Sequence, residues 1–132
     1  MDAHFGPYPI LPNSRLSWVQ AQQLLMVKWP FDPAATYMMI VYDLDAPRPY
    51  THPFVQYLVT DLHNDNLMTG RILVPYMSPN PVNGTHRYVI EIYQQIGAIV
   101  AQNYSHTTTD PAYLLHGHVL IYSLNFLVDT KN

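Results

Sequence analysis

The chain has 132 residues, 48% of them hydrophobic, with a formal net charge of −3 and no cysteine. This length predicts one domain over residues 1–132, with enough apolar residues for a buried core. The absence of cysteine excludes disulfides and thiol catalysis, and the absence of any Lys/Arg cluster argues against a nucleic-acid partner.

The N-terminal stretch, residues 1–13, contains three prolines and is predicted to form an extended arm with little regular structure. It lacks a basic start followed by an apolar segment, so no signal peptide is expected and a cytoplasmic location is predicted. No stretch of the sequence is apolar enough to predict a membrane span.

Residues 14–29 carry a short apolar run at 24–27 that suits either a buried strand or part of a helix. A turn is predicted at 30–33, where two prolines flank Phe31 and Asp32. The favoured interpretation is a pair of strands around this turn.

The clearest strand is predicted at residues 37–43, a continuous apolar run typical of a buried central strand. Other stretches with strand composition follow it: residues 54–61, 72–74, 87–95 and 118–128. The apolar segment 96–102 is compatible with a continuation of the strand before it. No helix shows a capped pattern with a period of 3.6 residues, although residues 111–115 could form one short turn.

Alternation in the strand at 87–95 predicts one buried and one wetter face. Tyr88, Ile90 and Ile92 share the first face. The second holds Arg87, Val89, Glu91 and Tyr93. The strands are joined by polar connections at 62–70, 75–84 and 103–110. The 75–84 loop is long and rich in proline, and such loops are often functional.

Two residues beside strand ends could carry chemistry. Asp43 ends an otherwise uncharged strand, where a carboxylate needs hydrogen bonds or solvent. It could equally be a turn former. His86 follows Gly84, which would let the backbone approach a ligand closely, and a histidine there can donate to a phosphate oxygen. A hydrogen-bonded structural histidine is the alternative.

Other candidate sites are weaker. His116 and His118 share a strand face, but a zinc site normally needs three or four protein ligands and no third is evident. No serine lies in a nucleophile elbow, and no Gly-rich nucleotide loop is present. No cofactor or metal is therefore expected.

Three segments in order resemble the phosphatidylethanolamine-binding protein (PEBP) family, which includes Raf kinase inhibitor protein. Asp43-Leu44-Asp45-Ala46-Pro47 resembles the family motif Asp-Pro-Asp-Ala-Pro. Residues 57–62 resemble the family's central strand. Residues 76–81, followed by Gly84-Thr85-His86-Arg87-Tyr88, resemble its second motif, Gly-x-His-Arg-Tyr/Phe. The resemblance covers residues 37–95.

The resemblance implies a mainly β fold with a central antiparallel sheet, a smaller second sheet and few short helices. It also implies a pocket at the sheet edge for phosphate or phosphorylethanolamine, and the Ala46–Pro47 bond could be cis. The implied ligand-binding residues are Asp43, Asp45, Pro47, Gln56, Ser78, Pro79, Pro81, His86 and Tyr88, with no catalytic residue.

The chain departs from the family pattern in three respects. Leu44 replaces a proline, and Gln56 replaces a histidine, which should weaken phosphate binding because glutamine cannot become cationic. The sequence is also shorter than typical members at both ends. A more open pocket is the expectation.

The resemblance implies a binding protein, not an enzyme, that takes a phosphate or phospholipid head group. The alternative is a protein-interaction module, inhibiting a kinase or protease, in which the pocket is vestigial. A hydrolase using Asp43 and His86 is a weaker option because no nucleophile is placed for it.

Overall fold

The computed structural model describes residues 1–46, 53–99 and 102–131. Pro47 and the Ala46–Pro47 bond lie outside these ranges. The strands in the described residues are β1 (Asp2–Phe5), β2 (Tyr8–Pro9), β3 (Arg15–Leu16), β4 (Leu25–Lys28), β5 (Thr36–Asp43), β6 (Phe54–His63), β7 (Arg71–Val74), β8 (Thr85–Gln94) and β9 (Val119–Asp129). The helices there are α1 (Trp18–Ala21), α2 (Pro111–Leu115) and a 3-10 turn at Leu67–Thr69.

These strands form a six-stranded sheet in the order β3-β9-β8-β5-β6-β7 and a three-stranded sheet in the order β2-β1-β4. Neighbours are antiparallel except β3 and β9, which are parallel. The mainly β architecture with a central sheet, a smaller sheet and short helices is confirmed. So is the central position of the 37–43 run, which lies in β5 between β8 and β6.

The small sheet packs on one face of the large sheet, and together they enclose the main core. Phe5 from β1 meets Phe126 from β9 edge to face, with ring centroids 5.7 Å apart. Met39 and Val41 point from β5 into the same core, and both are buried. The alternation of strand side chains sends Met38 and Ile40 to the opposite face.

In β5 and most of β8 that opposite face is also buried, which corrects the predicted wetter face of 87–95 except at Arg87, which is exposed. Val89, Glu91 and Tyr93 are at most 9% exposed. Ile99 and Leu114, from the segment that contains α2, contribute to the apolar cluster on this face. The alternation of polar and apolar residues in 87–95 predicted a solvent-exposed face because the sequence of one strand cannot show that a later segment covers the sheet.

A buried carboxylate lies within this second layer. Glu91 accepts hydrogen bonds from the hydroxyls of Tyr42, at 2.7 Å, and Tyr93, at 3.2 Å. Burial and the Glu91 charge raise the pKa of both tyrosines. The two hydroxyl groups compensate the carboxylate for its lost hydration.

The prediction of an irregular N-terminal arm is wrong. Residues 1–13 contain the hairpin of β1 and β2, in which Phe5 pairs with Tyr8. Gly6, at φ +53°, supplies the left-handed conformation that the two-residue turn requires. Pro7 lies in the turn and Pro9 in the edge strand β2, both positions where proline is tolerated.

Strand pairing around the turn at 30–33 is also wrong. β4, before the turn, pairs with β1 in the small sheet, whereas β5, after it, lies in the large sheet. The sequence showed no capped pattern with a period of 3.6 residues, yet α1 is a capped helix. Its N-cap Ser17 and Gln20 form a reciprocal capping box.

The described part of 96–102 is not a strand, because β8 ends at Gln94. The predicted short turn at 111–115 is α2, and the predicted loop at 75–84 is confirmed as irregular backbone. Neither helix in the described part of the chain is long or apolar enough to cross a membrane.

Candidate functional site

Asp43 and His86 come together at one end of the large sheet. Asp43 is the last residue of β5 and pairs in register with Tyr88, and His86 lies two residues before Tyr88 in β8. His86 Nδ1 and Asp43 Oδ2 are 2.8 Å apart, and the residues are 7% and 5% exposed. The sheet therefore brings an acid and an imidazole, 43 residues apart in sequence, into a buried hydrogen bond.

Asp43 also forms the turn that the alternative interpretation of this residue predicted. Its Oδ1 accepts a hydrogen bond from the Asp45 backbone N–H at 2.7 Å. Asp45 in turn forms a two-pronged ion pair with the Arg87 guanidinium and accepts from the Arg87 backbone N–H. The hydrogen bond from Arg87 holds the pKa of Asp45 below its usual range. Asp45 thus fixes the turn outside the buried pair.

Tyr88 lies behind the pair and is fully buried. Its ring stacks between His86, at a centroid distance of 6.4 Å, and Phe126, at 5.6 Å. Burial and then the Asp43 charge raise the pKa of the Tyr88 hydroxyl. The ring therefore supports the imidazole from the core side.

A cavity of about 210 Å³, here called the His86 cavity, opens in front of the pair. The described residues lining it are Asp43, Ala46, Phe54, Gln56, Met77, Ser78, Asn80, Val82 and His86. Among the predicted site residues, Asp43, Gln56, Ser78 and His86 lie at this cavity. Asp45, Tyr88, Pro79 and Pro81 do not line it, and Pro47 is outside the described residues.

The 75–84 loop forms one wall of the His86 cavity and is tied to α1. Gln22 Nε2 donates to the Pro79 carbonyl at 2.7 Å, and Ser78 Oγ donates to Gln22 Oε1 at 2.8 Å. Trp18 Nε1 donates to Asn80 Oδ1 at 3.0 Å. Sequence reasoning missed these supports, although the Ser17-x-x-Gln20 capping box could have located α1.

A close approach of the backbone to a ligand at Gly84 stays a prediction. Within the protein, an added Cβ would meet nothing within 4 Å, so no contact between protein atoms requires glycine there. Its φ of +66° does require a residue that tolerates the left-handed region. Gly84 shapes the entry of the loop into β8.

His116 and His118 lie elsewhere, on a larger cavity of about 650 Å³ near α2. His118 Nδ1 accepts the Ile96 backbone N–H at 2.9 Å, so this nitrogen has a structural partner. Within residues 1–46, 53–99 and 102–131, no three His, Cys, Asp or Glu side chains are grouped as a metal site would require.

The fold and the site define a class: a two-sheet β protein with a cavity of mixed polar and apolar lining where the central strands end. The chain belongs to the phosphatidylethanolamine-binding protein family, whose sequence profile matches residues 12–125.

Sequence relatives agree with this assignment. CEN-like protein 1 of Nicotiana tabacum is 39% identical over 70 residues, which are 50% of this chain and 40% of that protein. Protein BROTHER of FT and TFL 1 of Arabidopsis thaliana is 37% identical over 65 residues, 46% of this chain and 37% of that protein. The chain spans about two fifths of the length of these curated relatives.

Solved structures share the fold. A carboxypeptidase Y inhibitor, crystallised with its cognate proteinase, superposes with a TM-score of 0.79 at 19% identity, covering 98% of this chain and 82% of that one. The solution structure of CG7054 superposes with a TM-score of 0.74 at 20% identity, covering 98% of this chain and 84% of that one.

Proposed function

We propose that this chain is a binding protein whose His86 cavity takes a phosphate or phosphorylethanolamine-type head group. The observation that carries the proposal is the buried His86–Asp43 hydrogen bond at the cavity wall. A buried polar pair of this kind is costly to maintain and is typical of binding sites with a few oriented polar groups.

The pair gives His86 a defined orientation. The hydrogen bond to Asp43 engages Nδ1, and Nε2 has no hydrogen-bond partner among the described residues. Once protonated, Nε2 can donate to an oxyanion, and the Asp43 carboxylate can accept from an ammonium or hydroxyl group. A head group with both charges matches this pair better than a purely anionic one.

The loop can add backbone donors only at certain positions. Pro79 and Pro81 have no N–H, so Asn80 supplies the backbone N–H between them, and this group interacts with the Tyr88 hydroxyl in the protein. Phe54 and Val82 offer apolar surface in the same cavity for the carbon atoms of a ligand.

A binding role is favoured over hydrolysis by the position of Ser78. It is the hydroxyl-bearing side chain among the described residues of the cavity, and its Oγ donates to Gln22 and not to His86. A nucleophile needs a base within hydrogen-bond reach. The described geometry pairs this hydroxyl with an amide instead.

The direct test is an NMR titration of the protein with inorganic phosphate and with phosphorylethanolamine. Amide and side-chain signals of His86 and Asn80 should shift at millimolar ligand, and His86→Ala should abolish the shifts. His4→Ala is the matched control, because His4 also contacts an aspartate at 2.8 Å but lies in the small sheet. Unmoved His86 signals in the wild type would refute a functional cavity.

A second candidate is a protein-interaction module that inhibits a kinase or a protease. One observation favours it: the Gln56 amide donates to loop carbonyls, so it adds no donor for an anion. The carboxypeptidase Y inhibitor has the same fold and binds a proteinase. If a kinase or protease bound wild type and His86→Ala equally well, partner binding would be separate from the cavity.

A further inference from the structure

Both N–H groups of the Gln56 side chain are used within the protein. Nε2 donates to the Met77 carbonyl at 2.6 Å and to the Ser78 carbonyl at 3.2 Å. A primary amide has only two N–H donors, and carbonyls can only accept, so these contacts also fix which way the amide faces. The Met77 N–H closes the connection by donating to the Gln56 backbone carbonyl at 2.8 Å.

Gln56 thus clamps the 75–84 loop from the side of β6, and Gln22 holds the same loop from the other side. Gln22 accepts from Ser78 and donates to Pro79, so the backbone at 77–79 is held between β6 and α1. Gln56 is 4% exposed, and its contacts lie where water competes little. Two glutamines therefore fix the loop wall of the His86 cavity from opposite sides.

We propose that Gln56 is a positioning residue that acts on the ligand through the 75–84 loop, and that it offers the cavity only its acceptor, Oε1. No described residue donates to Oε1, and Gln56 lines the cavity. Resting on the proposed function, this predicts that the site prefers a head group whose cationic end carries an N–H donor over one whose cationic end has none. An ammonium N–H can donate to Oε1, whereas a quaternary ammonium has no hydrogen to donate.

The first test needs no ligand. In Gln56→Met, which keeps the length but loses the amide, hydrogen exchange at the Met77 and Ser78 amides should quicken about tenfold, the factor for about one hydrogen bond. Gln56→Glu is a second variant of the same shape, in which a carboxylate cannot donate to the two carbonyls. His86→Ala is the control and should leave loop exchange unchanged. Unchanged exchange in both Gln56 variants would overturn the clamp.

The second test compares ligands on the folded wild-type protein. Phosphorylethanolamine should bind more tightly than phosphorylcholine, whose quaternary ammonium carries the same charge without an N–H. In Gln56→Met the preference for phosphorylethanolamine over phosphorylcholine should shrink. Equal affinities in the wild type would overturn the acceptor role of Oε1.

Failure of the proposed function can be distinguished from failure of the Gln56 proposal. If no phosphate compound binds the wild type, the proposed function fails, and the exchange measurement still decides whether Gln56 holds the loop. If affinity falls in Gln56→Met while free-protein exchange stays unchanged, Gln56 acts only as a direct ligand contact and the positioning role is wrong.

Discussion

The same pair of side chains occurs twice in this molecule at very different exposure. His86 and Asp43 meet at 2.8 Å with side chains 9% and 7% exposed, whereas His4 and Asp2 meet at 2.8 Å with side chains 34% and 74% exposed. Exposed pairs contribute little because water and salt compete with them. A buried group that loses its partner pays the full cost of its desolvation.

We therefore expect Asp43→Ala to lower the free energy of unfolding by about 1–3 kcal/mol, the cost of a buried polar group without its partner. Asp2→Ala, the matched control, should cost less than about 1 kcal/mol. Urea unfolding followed by tyrosine and tryptophan fluorescence measures both. Equal effects would show that burial does not set the strength of the central pair.

The residues of the candidate site were only partly predictable from the sequence. Asp43 and His86 stood out because polar residues at strand ends need partners, and the family motifs linked them. The contacts of Gln56 could not be predicted, since they depend on where the backbone of an irregular loop runs. Trp18 and Gln22 support that loop from a distant stretch that no periodic pattern marked.

At the scale of single elements, strands with long apolar runs were predictable and short elements were not. β5, β6 and β9 each extend over eight residues or more and carry clear apolar runs. α1 has four residues, too few for a helical period, so its cap was the available signal. The β1–β2 hairpin was hidden by prolines that occupy its turn and edge.

The cap of α1 should matter for stability and for the loop. Ser17→Ala removes the side-chain oxygen that accepts from the Gln20 N–H and should cost about 1 kcal/mol. Ser123→Ala, at an exposed position of β9, should change the free energy of unfolding by less than about 0.5 kcal/mol. Urea unfolding of both variants checks this. A Ser17 effect no larger than that of Ser123 would mean that tertiary contacts alone hold α1.

The centre of β8 should be the most sensitive part of the sheet to truncation. Ile90 is fully buried, whereas Ile72 in β7 is 58% exposed. Ile90→Ala should destabilise by about 2–5 kcal/mol through lost burial and a residual cavity. Ile72→Ala should cost less than about 1 kcal/mol, because little of its surface leaves water on folding. If thermal unfolding showed comparable losses of stability in Ile90→Ala and Ile72→Ala, the centre of β8 would not be part of the stabilising core.

On the scale of the whole molecule, partly exposed carboxylates join the strand ends around the candidate site. Asp45, after β5, pairs with Arg87 in β8. Asp129, at the end of β9, accepts from Thr85 in β8 and pairs with Arg15 in β3. Hydrogen bonds from Arg87 lower the pKa of Asp45, and those from Thr85 and then Arg15 lower the pKa of Asp129. Four strands are thus linked by groups that prefer to be ionised when folded.

This arrangement predicts a loss of stability in acid. Because the folded pKa values of Asp45 and Asp129 lie below their ordinary 3.8, their stabilisation is complete above that pH and is lost as pH falls through the folded values. Asp45→Asn should be less stable than the wild type at neutral pH. It should also lose less stability than the wild type between about pH 5 and pH 2. Urea midpoints across this range provide the measurement.

Ionic strength supplies the control for that series. The difference between wild type and Asp45→Asn should narrow in about 1 M salt, since exposed pairs are screened. If the wild type and Asp45→Asn lost the same amount of stability in acid at low salt, carboxylates other than Asp45 would govern the acid unfolding.

The buried Glu91 cluster also bears on how the sheet finds its alignment. Glu91 stands opposite Ile40 of β5, with Tyr42 two residues along the same strand. If β5 slipped by one residue against β8, Tyr42 would turn to the other face and the carboxylate would lose that donor in an apolar layer. Apolar side chains tolerate such slips far better. The cluster therefore helps to fix the register of β5 against β8, because it destabilises misaligned pairings that a purely apolar interface would accept.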